Sequence, residues 1–388
     1  GKGYEGGARP APAGTAGSGP GGGRAGSMQV GGGGGYGGMG GGGEPGAWTG
    51  GATYGLPEAP LEPGSGGAYY NGYGSGTGGA GGGLIRIEAA GALTLAGTMT
   101  ANGVPGSGDS HNGGGSGGGI YIQCKTITGG GSLIAAGAGA VTGAGGGGGR
   151  IAVVYEPSAQ AATNNPTGAF SVAGGAGGYQ SGDIGTLYFP DTRLLGATMN
   201  GVTGQWISLN VTNWSVGSLL LTNSWLRFPQ PGFQLAVTSD VVMAGASRLD
   251  LGANAYVTSV VYYPINKSPG KWPYRLFNSS TTASVFSVGR DVSLAAGCAL
   301  YLYSGLTNGI TPDYGLLMNV TGDVSIASNA WIYLISHHTN GGAPLLRMSN
   351  LVLAAGGGID ADGQGYGGGT VAAAGVAAEV FPITGEPT

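Results

Sequence analysis

The chain has 388 residues, of which 92 are glycine and 20 proline, with 8% charged and 41% hydrophobic residues and a formal net charge of −4. So much Gly and Pro suggests disorder, but disordered chains combine low hydrophobicity with high charge, and this one does neither. Glycine does not recur every third residue, which excludes collagen. No stretch approaches about 20 apolar residues, which excludes a membrane-spanning helix, and the 14 Lys and Arg are scattered singly, which argues against nucleic acid.

Glycine is spread unevenly: 66 of the 92 lie in residues 1–190. The first 80 residues are tracts such as Gly31–Gly43, punctuated by Tyr36, Met39, Trp48, Tyr54, Tyr69, Tyr70 and Tyr73. A pure spacer needs no such rings. The tracts read instead as extended, polyglycine-II-like segments that stack, hydrogen-bond laterally and seat aromatic rings between layers. Fixing each residue costs about 1–2 kcal/mol, so the arrangement requires nearly every N–H and C=O to find a partner. No Walker-type Lys follows any tract, so phosphate binding is not indicated.

From residue 81 the tracts alternate with short strands. Gly81–Gly103 and Gly117–Gly137 each read as glycine tract, strand, corner, strand, glycine, and Gly147–Tyr155 opens a third such unit. Helical periodicity is almost absent, while runs such as Leu84-Ile-Arg-Ile-Glu88 and Arg150-Ile-Ala-Val-Val-Tyr155 have the period of strands.

Beyond residue 190 the text repeats itself. Segments starting at Ser239, Arg290, Gly322 and Ser349 share the unit Asp-φ-x-φ-Ala-x-x-x-x-φ-x-φ, with Asn350 in the last copy where the others have Asp. Two short strands around a small-residue corner, recurring at such intervals, describe turns of a parallel β-solenoid with extra residues looped out. The fold expected is all-β, a right-handed parallel β-helix, the hand following the bias of parallel crossovers. The expected organisation is a Gly-rich region over 1–80 packing on the solenoid, coils with Gly-rich loops over 81–190, Gly-poor coils over 191–369, and a tail over 370–388.

The sequence Gly-Gly-Gly-x-Ile-x-Ile, then φ-x-φ-Ala-x-Gly, then Gly-Gly-Gly-Gly-Arg-Ile-Ala-Val resembles large glycine-rich β-helix proteins of bacterial surfaces, similar in layout to adhesins and autotransporter passengers. The resemblance covers residues 30–155 well and 235–369 loosely. It implies fold and secretion and carries over no catalytic residue.

Chemistry-bearing residues are sparse. The only imidazoles are His111, His337 and His338, and no metalloprotease, nucleophile-elbow or Cys-x-x-Cys motif occurs. A catalytic role is therefore not expected. Asp240, Asp291 and Asp323 share one repeat position and form a potential ladder, readable as a Ca²⁺ site or as turn caps that accept backbone N–H bonds. Cys124 and Cys298 each lie on the apolar side of an alternating run and read as separate buried thiols. Sequons begin at Asn210, Asn213, Asn278 and Asn319. Trp206, Trp214, Trp225 and Trp272, with Tyr262 and Tyr263, are candidates for stacking on glycans.

The ends suggest assembly. Gly363–Gly369 overlays Gly1–Gly7, matching Tyr366 to Tyr4. The N-terminus thus reads as the finish of a coil, following a strand such as the one containing Ile359. A second copy's tail, with Val371, Val376, Val380 and Phe381 as its apolar residues, reads as a donor for a missing strand. The expected function is a non-enzymatic extracellular structural protein that joins head to tail. The alternatives are a monomeric glycan-binding adhesin and, less favoured, a polysaccharide lyase or hydrolase. Partners expected are further copies of the chain or a surface polysaccharide.

Overall fold

The computed structural model describes residues 2–8, 15–25, 30–42, 49–70, 76–108, 110–208, 211–230, 232–252, 282–306, 314–337, 342–362 and 364. Among these the secondary structure is strand, apart from one helical turn at Pro157–Gln160. One sheet runs the length of the molecule. Its successive strands are Leu84–Glu88, Gly119–Gln123, Arg150–Val154, Thr186–Tyr188, Thr203–Ile207, Trp225–Phe228, Arg248–Leu251, Ala299–Tyr303, Trp331–Ile335 and Gly358–Asp360. In the second half two further parallel sheets complete the coils, a six-stranded one from Thr198–Asn200 to Asn350–Leu353 and a five-stranded one from Asn213–Val216 to Pro344–Arg347. The chain is a parallel β-helix.

The textual repeat is the structural repeat. Val241, Val292, Val324 and Leu351 pair in succession, as do Leu249, Leu300, Ile332 and Ile359. In the first half Ile85, Ile120 and Ile151 pair likewise. One coil escapes the sequence comparison. Leu219–Thr222 and Trp225–Phe228 belong to the same series, but the corner between them is one residue shorter, so the offset changes between the Leu219–Val241 and Trp225–Arg248 pairs. The corners hold a left-handed residue in consecutive coils, Asn223, Ala246, Gly297, Asn329 and Gly356. Gly and Asn tolerate that conformation best, which accounts for four of these five corner residues, Ala246 being the exception.

Inward-facing residues form one continuous apolar column from Leu95 to Ile332. Ile120, Ile151, Leu187, Trp206 and Phe228 stack coil on coil, and Phe228 lies against Phe233 at 4.6 Å between ring centroids. Each such fully buried side chain contributes about 1.5–3 kcal/mol. Cys124 and Cys298 are both in this column, buried and unpaired.

The glycine tracts run directly into the strands of the long sheet, 113–118 into Gly119–Gln123 and 145–149 into Arg150–Val154. Their hydrogen bonds follow a three-residue period. Gly113 and Ser116 donate to Ala68 and Ser65, Gly114 and Gly117 to Ala144 and Gly147, and Gly115 and Gly118 to Val104 and Ala101. In the next tract Gly145 and Gly148 donate to Gln180 and Asp183, while Gly146 and Gly149 donate to Ala138 and Ala135. A β-strand alternates between two neighbours; a threefold polyglycine-II-like rod addresses three. Residues 2–7, 31–37, 64–69 and 78–82 join the same lattice, so it draws on segments from both sides of residue 80. Tyr36, Tyr69 and Tyr70 are buried within it, and the Tyr36 and Tyr54 rings meet at a tilt with centroids 4.7 Å apart.

The lattice requires glycine because a Cβ at Gly115 would collide with the Ala80 carbonyl, and one at Gly146 with the Gly115 carbonyl, both closer than 3.0 Å. Neither obstacle is a side chain that can swing away. Gly91, by contrast, has nothing within 4 Å. Gly115→Ala and Gly146→Ala should each destabilise by about 1–3 kcal/mol or more, whereas Gly91→Ala should be neutral or slightly stabilising. Thermal unfolding of the three variants checks this; equal melting temperatures would contradict close backbone packing.

Candidate assembly site

The lattice is pinned to the outer face of the long sheet by two buried arginines. Arg150 donates through Nε and Nη2 to the Tyr54 carbonyl at 3.0 and 2.7 Å, and through Nη1 to Thr186 Oγ1 at 2.9 Å. Arg227, 1% exposed, donates to both oxygens of Asp183 at 2.7 and 3.0 Å and through Nε to Asp250 at 3.1 Å. Arg248 completes the cluster with bonds of 2.6 and 2.9 Å to Asp250. The Arg227 and Arg248 guanidinium groups thus face the Asp183 and Asp250 carboxylates, and the charges of these four sum to zero.

Outward residues of successive coils continue this column. The Arg248 guanidinium sits 4.2 Å from the Trp225 ring centroid and 3.8 Å from that of Tyr301, which in turn stacks on Tyr333 at 4.4 Å. These rings spend their faces on one another and on the cation. Burial pushes the Tyr301 hydroxyl up to about 12.

The glycan-binding candidates separate on this geometry. Trp206 and Trp214 are 0% and 3% exposed and belong to the inner column, so both are packing residues rather than sugar platforms. Trp225 faces outward and is half-buried, with its Nε1 bonded to Asp250 at 3.1 Å. Trp272, Tyr262 and Tyr263 lie outside the described residues. A period-two pattern marks a strand but not which of its faces a large ring occupies, which is why the inner tryptophans read as candidates.

The three aspartates do stack. Asp240 Oδ1 accepts the Asp291 N–H at 3.2 Å, Asp291 Oδ1 accepts the Asp323 N–H at 2.8 Å, and Asn350 Nδ2 donates to Asp323 Oδ1 at 2.7 Å. Each carboxylate therefore caps the next coil rather than its own turn. The bond from Asp291 holds the Asp240 carboxyl below its usual range. Among the described residues no group of three or more His, Cys, Asp or Glu is placed to hold a metal ion. Sequon residues Asn213 and Asn319 are exposed on the five-stranded sheet; Asn210 and Asn278 lie outside the described residues.

The two ends of the column differ from its middle. Ile120 and Ile122 are fully buried, but their partners in the edge strand, Ile85 and Ile87, are only half-buried. At the other end Val324 and Ile326 are 0% and 1% exposed, whereas Leu351 and Leu353, paired with them in the last coil, are 43% and 48% exposed. Ile359 and Leu346 are partly uncovered as well. Among the described residues both ends thus expose interior positions and a strand edge with no paired strand. Of the sequence-derived assembly residues, Tyr4 lies in the lattice, where its N–H donates to the Gly64 carbonyl, and the residue is 36% exposed. Ile359 lies on the terminal strand, and Gly1, Tyr366, Val371, Val376, Val380 and Phe381 fall outside the described residues. Leu351, Leu353, Ile85 and Ile87 were not singled out by sequence, because their positions in the repeat are core positions.

The buried cluster sets the response to acid. Burial alone would raise the Asp250 carboxyl, but Arg248 and Arg227 beside it outweigh that and hold it below the usual range. A depressed carboxylate contributes stability that is full above its ordinary value near 4 and is lost as pH falls through its lower folded value. Urea midpoints should therefore drop below about pH 4; a midpoint that rises in acid would contradict the assignment. Arg227→Met, which strands Asp183, should cost about 3–5 kcal/mol, and adding Asp183→Leu should recover part of it.

Comparison with protein-family models, with curated proteins and with solved structures finds no match to this chain.

Proposed function

We propose that the chain is a non-enzymatic extracellular structural protein whose copies associate head to tail into a filament or surface fibre. The observation that carries this reading is the pair of open ends among the described residues: Ile85 and Ile87 at one edge of the long sheet and Ile359 at the other are only partly covered, and Leu351 and Leu353 are uncovered at the neighbouring edge of the six-stranded sheet. Parallel edges of the same polarity suit each other, and an unpaired edge is a template for another strand. Low charge limits repulsion between packed copies. The resemblance to glycine-rich surface proteins supports an extracellular location and a bacterial-surface setting.

A second reading, a monomeric surface adhesin that binds glycans, rests on the half-buried outward ring of Trp331, since Arg248 covers the Trp225 ring. Electron microscopy of the purified chain at micromolar concentration, with light scattering alongside, separates the two. Head-to-tail association predicts regular filaments one β-helix wide; discrete particles of one chain's mass at every concentration would overturn it and direct attention to glycan arrays.

A further inference from the structure

The head-to-tail reading leaves open which surfaces meet, and the charges at the two sheet edges narrow the choice. Leu84–Glu88 and Gly358–Asp360 are opposite edges of the same parallel sheet. Neither is a chain terminus: 83 residues precede Leu84, and the chain continues from Asp360 to Thr388. On the first edge Ile85 and Ile87 belong with the core, so Arg86 between them points outward, where its side chain is 54% exposed and paired with Glu88. On the other, Ile359 packs with the core and Asp360 lies on the outward side, with Asp362 exposed two residues later and its N–H bonded to Asp360 Oδ1 at 2.7 Å.

We propose that the occupant of the Leu84–Glu88 edge is the Gly358–Asp360 end of a second copy, with Arg86 of one copy facing the Asp360–Asp362 pair of the other. This rests on the head-to-tail reading and specifies its junction. Side-chain alternation restricts the pairing, because a shift of one residue would turn Ile359 outward. Two nearby registers keep Ile85, Ile87 and Ile359 inward. Continuing the existing columns sets Asp360 over Leu84, since Leu84, Gly119, Arg150, Thr186, Gln205, Arg227, Asp250, Tyr301, Tyr333 and Asp360 follow one another across the sheet. That brings Asp362 toward Arg86. The register two residues away sets Asp360 on Arg86 directly but brings Asp362 toward Glu88, a like-charge contact that favours the first register. Both give the arginine a carboxylate partner, and opposite charges across strands stabilise where like charges repel. Joining two like C-terminal ends would instead set Asp360 near its own counterpart. The same junction covers Ile85 with the uncovered end of the partner's column.

Charges on edge strands also serve to keep edges apart, and charge-reversed variants of the full-length chain decide between the roles. Arg86→Asp alone, and Asp360→Arg with Asp362→Arg, each place like charges at every junction; both should raise the concentration needed for assembly by about tenfold. An equal mixture of the two variants should assemble like the wild type, because every junction then joins opposite charges. Circular dichroism of each variant checks that the fold is kept. Wild-type filaments with variants that assemble unimpaired, or a mixture that stays unassembled, would overturn this junction and leave the head-to-tail reading standing. A wild type that never assembles would overturn both, and faster assembly of the variants would identify the charges as guards.

Discussion

The structure depends on how closely one peptide backbone can approach another when no Cβ stands between them. In the glycine lattice the carbonyl of one rod occupies the space where the next rod would carry a side chain, as the contacts of Gly115 and Gly146 with Ala80 and Gly115 show. That approach lets a rod bond to three neighbours, so a region with few apolar side chains pairs its amides with one another. Ordering glycine is entropically unfavourable, and the dense bonding together with buried rings such as Tyr36 and Tyr69 offsets it.

A lattice of bare backbone has no side chains with which to recognise a partner surface, and the buried arginines supply that recognition. Arg150 and Arg227 project from the long sheet and end on the carbonyl of Tyr54 and the carboxylate of Asp183, both in glycine-rich segments. Each tract also continues covalently into a strand of the sheet. Lattice and β-helix are therefore two hydrogen-bonding regimes of one body, threefold before the strand begins and twofold after it.

Much of this was legible in the sequence. The repeat from Ser239 to Ala361 was readable residue for residue, because coils of one solenoid place equivalent residues in equivalent surroundings. The coil at Leu219 was hidden by one missing corner residue and by Ser218 in the aspartate position. The need for the tracts to bond laterally followed from their glycine content, but not their partners: Gly113 donates to Ala68 and Gly147 to Gly34, pairings among small residues of repetitive tracts that no pattern distinguishes. The tryptophans show a different limit. Trp206 and Trp225 both lie in strands, yet one is enclosed and the other faces outward, a difference set by the register of neighbouring coils. The exposed Leu351 and Leu353 were illegible for the opposite reason, since their sequence context is that of core residues.

Amide hydrogen exchange tests most directly whether the tracts form an ordered lattice continuous with the β-helix. The account predicts that amides of 113–118 and 145–149 exchange as slowly as those of Ile120 and Ile151, through the same global opening. Exchange of the glycine amides at unstructured rates, beside protected strands, would contradict it.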